Sequence, residues 1–150
     1  MRKIIVFLIF FLILNAEEMK ITSKYFHFDT NKKMSIFKGN VNVLKGKDSI
    51  HSNELIVFFN KQKKPTKFVA SGNVKFVISL DKNSTYKGSC NTLNYQLQNG
   101  NIILTGDAKI IKLETNESVK GNKIVLNRFT KNAEVTGNKK PVEIILKVNE

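Results

Sequence analysis

Ser52-Asn53-Glu54-Leu55-Ile56-Val57, answered by Ala70-Ser71-Gly72-Asn73-Val74-Lys75-Phe76, is the stretch that decides the fold. A small residue and an Asn precede alternating apolar positions, and a Gly-Asn pair follows 20 residues after the small residue. The phrase recurs three times. Ser23-Lys24-Tyr25-Phe26-His27-Phe28 is answered by Gly39-Asn40, Cys90-Asn91-Thr92-Leu93-Asn94-Tyr95 by Gly106-Asp107, and Gly121-Asn122-Lys123-Ile124-Val125-Leu126 by Gly137-Asn138. In these three copies the gap is 16 residues; the turn Lys61-Gln62-Lys63-Lys64-Pro65 accounts for the four extra in the longer copy. Self-similarity at a fixed period marks an architecture built from repeated units.

Working outward from each Gly, the parity of the apolar residues is constant. One face collects Phe37, Val41 and Val43, then Phe68, Ala70, Val74, Phe76 and Ile78, then Ile102, Leu104, Ala108 and Ile110, then Ala133 and Val135. The opposite parity is mostly Lys, Asn, Ser and Thr, with Ile36, Val69 and Val77 as exceptions. Such alternation belongs to antiparallel sheet with one buried and one wet face, and no stretch sustains a helical period. The clusters Asp29 to Lys33, Lys61 to Pro65, Asp81 to Ser84 and Gln98 to Asn101 read as hairpin turns. A Gly inside a strand permits a bulge, and a following Asn or Asp tolerates the left-handed region. Repeated bends at equivalent points predict an all-β chain of antiparallel hairpins curled into a jelly-roll-like, folded-over sandwich. The ends predict edge strands, Met19 to Phe28 first and Val142 to Val148 last, with free backbone groups open either to protection or to β-augmentation.

Residues 1–16 carry Arg2 and Lys3, the apolar run Ile4 to Leu14 and a small Ala16, the pattern of a secretory signal peptide cut near Glu17. Eleven apolar residues are short of the roughly 20 that span a bilayer. Residues 17–150 then form one exported domain. Cys90 is the only cysteine and occupies the position held elsewhere by Ser23, Ser52 and Gly121, so it reads as an inert, inward-facing thiol and no intrachain disulfide forms. The formal charge of +13 favours anionic partners. Nearly all of it is Lys, which binds phosphate as a point charge.

Catalytic chemistry is not in the pattern. His27 and His51 stand alone, no carboxylate pair is placed by the repeat, and no Gly loop opens a helix. No enzyme activity, metal or cofactor is expected. Basic charge with 11 Phe and three Tyr raises single-strand nucleic-acid binding. Half of those rings lie in the leader or on the inward face, and export removes nucleic acid as a partner. Asp81-Lys82-Asn83-Ser84-Thr85 and Glu114-Thr115-Asn116-Glu117-Ser118 have the form of an acidic-x-Asn-x-Ser/Thr glycan acceptor.

The runs Ile21 to Asp29, Phe37-Lys38-Gly39-Asn40-Val41-Asn42-Val43, Ile50 to Leu55, Ala70-Ser71-Gly72-Asn73-Val74 and Leu104-Thr105-Gly106-Asp107-Ala108 together resemble the OstA-like family across the mature chain. Lys24 departs from that family's acidic residue, and Ser, Cys and Gly stand where Ala is more common. The resemblance implies a twisted β-jelly roll in the periplasm that stacks head to tail with like domains. It also implies transport of lipopolysaccharide, held by its lipid A portion, between LptC-like inner-membrane and LptD-like outer-membrane proteins. The expected lipid-binding residues are Phe26, Phe28, Val41, Val43, Leu55, Val57, Val74, Phe76, Leu93, Tyr95, Ala108 and Ile110, with Ile21, Ile144 and Leu146 at the stacking edges. Two alternatives stay open: a membrane-tethered LptC-like subunit that keeps its leader, and a structural β-repeat protein binding acidic glycans.

Overall fold

The structure, a computed structural model, describes residues 18–149; the signal peptide read at residues 1–16 lies outside them. Among the described residues ten strands form one antiparallel sheet: β1 (Met19–Thr22), β2 (Tyr25–Asp29), β3 (Met34–Lys45), β4 (Asp48–Phe59), β5 (Pro65–Asp81), β6 (Ser84–Gln96), β7 (Asn101–Lys112), β8 (Glu117–Asn127), β9 (Ala133–Thr136) and β10 (Glu143–Ile145). The path runs β1-β3-β4-β5-β6-β7-β8-β10, with β2 beside β1 on the same edge of β3 and β9 beside β10 on the far edge of β8. From β2 to β9 each strand pairs with its neighbour in sequence, as consecutive hairpins require, while β1 pairs with β3 and β10 with β8.

A line of bulges divides the sheet into two halves. The register slips by one residue at Gly39-Asn40, Gly72-Asn73 and Gly106-Asp107, and both members of each pair have positive φ, from 45° at Asp107 to 84° at Gly106. Only Gly takes the first position cheaply, and Asn or Asp is the next best choice for the second. The answering strands explain the other half of the repeat phrase. On β4, Ser52 and Leu55 both point inward although three residues apart, so Asn53 and Glu54 both point out; Cys90 and Leu93 on β6 repeat this. The Ser52 hydroxyl donates to the Glu54 carbonyl at 2.9 Å, and Ser23 to Tyr25 at 2.9 Å, which fixes the kink.

The Asn of one strand covers the Gly of the next. A Cβ on Gly72 would lie 2.6 Å from Asn53 Nδ2, one on Gly106 would collide with Asn91, and one on Gly39 would meet Lys24 Cβ at 3.0 Å. In the last unit the two-residue bulge has grown into the loop from Gly137 to Val142, where Asn138 still reaches Asn122 at 3.3 Å.

The bent sheet doubles over and its inner faces make one core, from Val41 and Leu55 to Ile124 and Leu126. Ion pairs join strands that are far apart along the sheet: Arg128, after β8, reaches Asp48 at the start of β4 at 3.1 Å, and Lys131 reaches Asp81 at 2.6 Å. The all-β jelly roll of repeated hairpins expected from the repeat is the fold observed, and among the described residues the sheet does not close into a barrel.

Three local expectations are corrected. The first strand is broken at Ser23-Lys24 into β1 and β2, because the kink that bends every even strand falls here at an edge with no second neighbour to hold it. The last strand is only Glu143–Ile145, not Val142 to Val148, because β8 offers register partners only for Glu143, Ile144 and Ile145. Ala133, counted inward, is exposed at the end of β9 for the same lack of cover.

Candidate functional site

The inner face is built of rows that run across every strand. In the half containing the strand ends nearest β1, register aligns Ile21, Val43, Ile50, Phe76, Gly88, Ile110, Val119 and Ile144. Gly88 is no gap in this row, since the Phe76 ring occupies the space a side chain would need. In the other half one row is Phe26, Phe37, Leu55, Ala70, Leu93, Leu104, Ile124 and Val135, and its neighbour is Phe28, Ser35, Val57, Phe68, Tyr95, Ile102, Leu126 and Ala133. Of these 24 positions only Ser35 carries a side chain that is neither apolar nor aromatic, Gly88 aside. Eight strands at about 4.8 Å give each row a length of about 34 Å.

The rows are buried in the middle and partly open at each sheet edge, where Phe26, Phe28, Ala133 and Ile144 are exposed but Ile21 and Val135 are half-buried against the core. Val41, Val43, Leu55, Val57, Val74, Phe76, Leu93, Ala108 and Ile110 are buried. Phe26 and Phe28, expected on the buried face, do point to the inner side but are 52% and 40% exposed, because β2 is an edge strand with nothing packed beyond it. Their rings rest on Phe37 (4.9 Å between centroids) and Phe59 (6.2 Å, edge-on). At the opposite end Ile144 and Leu146 are 55% and 66% exposed, while Ile21 on β1 is half-buried against the core.

Between the two halves a cleft remains, lined by Met19, Val43, Ile50 and Ile78 on one side and Phe68 and Tyr95 on the other. Lys45, Asp48, Ser49 and Arg128 rim it. Its volume is about 40 Å³, far below the roughly 300 Å³ at which ligand pockets begin. The halves are shut by chemistry at the rim. Asp48 accepts from Arg128 through Oδ2 and from the Ser79 amide through Oδ1 at 2.9 Å, and both ion-pair side chains are largely covered. Burial works against the Arg128 charge, but Tyr95 and Asp48 more than offset it and its pKa is raised. The Lys131 hydrogen bond, helped by the Asn83 amide, holds Asp81 down at about 2.

Elsewhere the polar side chains serve the turns. Glu114 is held below the ordinary carboxylate range by the hydrogen bond from the Thr85 amide, so the acidic residues of both glycan-acceptor patterns, Asp81 and Glu114, are already engaged at the hairpin tips. Burial pushes the Cys90 thiol up to about 11, against the pull of the Thr105 and Thr92 backbone, as expected of an inward thiol. Among the described residues no three of His, Cys, Asp and Glu cluster as metal ligands. The cross-sheet contact of Arg128 and Asp48 was beyond sequence reasoning, since 80 residues separate them; the one available signal was that Arg128 is the sole Arg outside the leader of a Lys-rich chain.

A solved structure with the same fold is LptH, the LptA-homologous periplasmic component of the lipopolysaccharide transport device of Pseudomonas aeruginosa, at 14% identity. Its TM-score is 0.76, with 87% of this chain and 96% of that chain covered. No curated protein sequence matches the chain significantly. Residues 20–140 match the family model of LptA and the LptD N-terminal domain, described as an LPS transport protein. The chain belongs to that family, the LptA/LptD N-terminal-domain family of LPS transport proteins.

Proposed function

We propose that this protein is a non-catalytic periplasmic carrier that passes lipopolysaccharide along its inner apolar face, with the lipid A acyl chains between the two half-sheets. The single observation that carries this reading is the set of apolar rows running from one edge of the sheet to the other, with exposed apolar side chains at each edge. Each acyl methylene taken out of water contributes about 0.8 kcal/mol, so a chain of about a dozen carbons gains on the order of 10 kcal/mol gross. A lipid crossing an aqueous compartment needs such a lining without interruption. The contacting residues are those named from the sequence, with Phe68, Ile102 and Leu126 added from Tyr95's own row. Because the cleft is too small for an acyl chain, loading parts the halves at the Arg128–Asp48 rim.

Both sheet edges end in short strands, which fits β-augmentation of one copy's β9 and β10 onto the next copy's β1 and β2. Head-to-tail stacking would join the rows of successive copies into one track between LptC-like and LptD-like partners, with the leader removed near Glu17. Displacement of a fluorescent fatty-acyl probe tests the carrier reading. Lipid A is expected to displace the probe and soluble polyphosphate is not; polyphosphate binding with no displacement by lipid A would overturn it.

A further inference from the structure

The outer faces of the two half-sheets differ in charge. On the half that contains β1 and β10, one register row reads Thr22, Asn42, His51, Lys75, Ser89, Lys109, Lys120 and Glu143. The next reads Lys20, Leu44, Ser49, Val77, Lys87, Ile111, Ser118 and Ile145. These two rows hold five lysines against one carboxylate at the far end, and Asp107 at the bulge is the one further carboxylate bordering them. The outer rows of the other half carry Lys38, Lys67 and Lys123 against Asp29, Glu54 and Glu134, and balance. A genome-wide preference for Lys would charge both faces alike, so the bias belongs to the face.

Two further features bear on the partner. Lys109 stands directly opposite Lys120, a cross-strand like-charge pair that destabilises a sheet, and neither is in an ion pair among the described residues. Beside the basic row, Leu44 and Ile145 are half exposed, with Val77 and Ile111 between them. Lysines beside exposed aliphatic side chains on one face match the two layers of a lipid surface, phosphate above and acyl boundary below. A soluble polyanion would use the lysines alone. We propose that this outer face docks single, unstacked copies of the protein on an anionic phospholipid bilayer, with the inner apolar rows lying parallel to it.

The test uses the full chain and vesicles of phosphatidylglycerol and phosphatidylcholine against vesicles of phosphatidylcholine alone, none containing lipopolysaccharide, so that it succeeds or fails independently of the carrier reading. K75E/K109E/K120E is compared with K38E/K67E/K123E, which changes the net charge equally on the opposite face, and circular dichroism checks that both fold. The first variant is expected to bind anionic vesicles at least about tenfold more weakly than the parent, and the second less than about threefold. Equal losses in both, or no loss in the first, would overturn the proposal. So would a first variant that loses affinity for polyphosphate but keeps its affinity for vesicles.

Discussion

At Gly72 an added methyl would sit 2.6 Å from Asn53, on a backbone at φ +81°. The clash and the left-handed strain act together, so Gly72→Ala is expected to cost about 2 kcal/mol or more in denaturant unfolding. Adding Asn53→Gly removes the clash alone and should return only part of that loss. The Gly-Asn phrase was legible in the sequence as a bend, but its partner was not: that Asn53 covers Gly72 depends on the register between strands, which spacing alone does not give. Asn94 is a second case. It lies on the outer face between Val69 and Ile103, and its Oδ1 is the one buried side-chain polar atom without a protein partner among the described residues. Leaving such an acceptor unpaired is costly, and Asn94→Val is expected to raise unfolding stability by about 1 kcal/mol; no gain would mean the oxygen is satisfied.

Elements in the middle of the sheet were read well because each is held on both sides. Strands β4 to β7 have two neighbours, and their inward residues fell where parity placed them. The ends were read less well. Sequence alternation continues through Leu146 and Val148, but β8 supplies partners only as far as Ile145, so the apolar tail lies exposed. Unpaired edges of this kind invite pairing with another copy. The protein is expected to show concentration-dependent head-to-tail association in sedimentation velocity, and I144E/L146E to sediment as a folded monomer. Undiminished association in that variant would place the contact elsewhere.

For the whole molecule, the decisive property is that bending at equivalent points turns a flat hairpin array into two half-sheets whose apolar faces meet. The repeat made that doubling legible, whereas the closure at Arg128 and Asp48 was hidden by an 80-residue separation. Of the buried set named from the sequence, Val43, Leu55, Val57, Phe76, Leu93 and Ile110 lie in the apolar rows and Val41, Val74 and Ala108 at the bulge line between them, while Phe26 and Phe28 are an exposed end. Photocrosslinking tests most directly whether lipid follows those rows. A photoreactive residue at Tyr95, beside the cleft, or at Phe28, at the exposed end, is expected to form adducts with lipopolysaccharide. One at Ile103 is not, although it is equally apolar and adjacent to Ile102, because it faces outward. Labelling from Ile103 as strong as from Tyr95, or none from Tyr95 and Phe28, would contradict an inner lipid track.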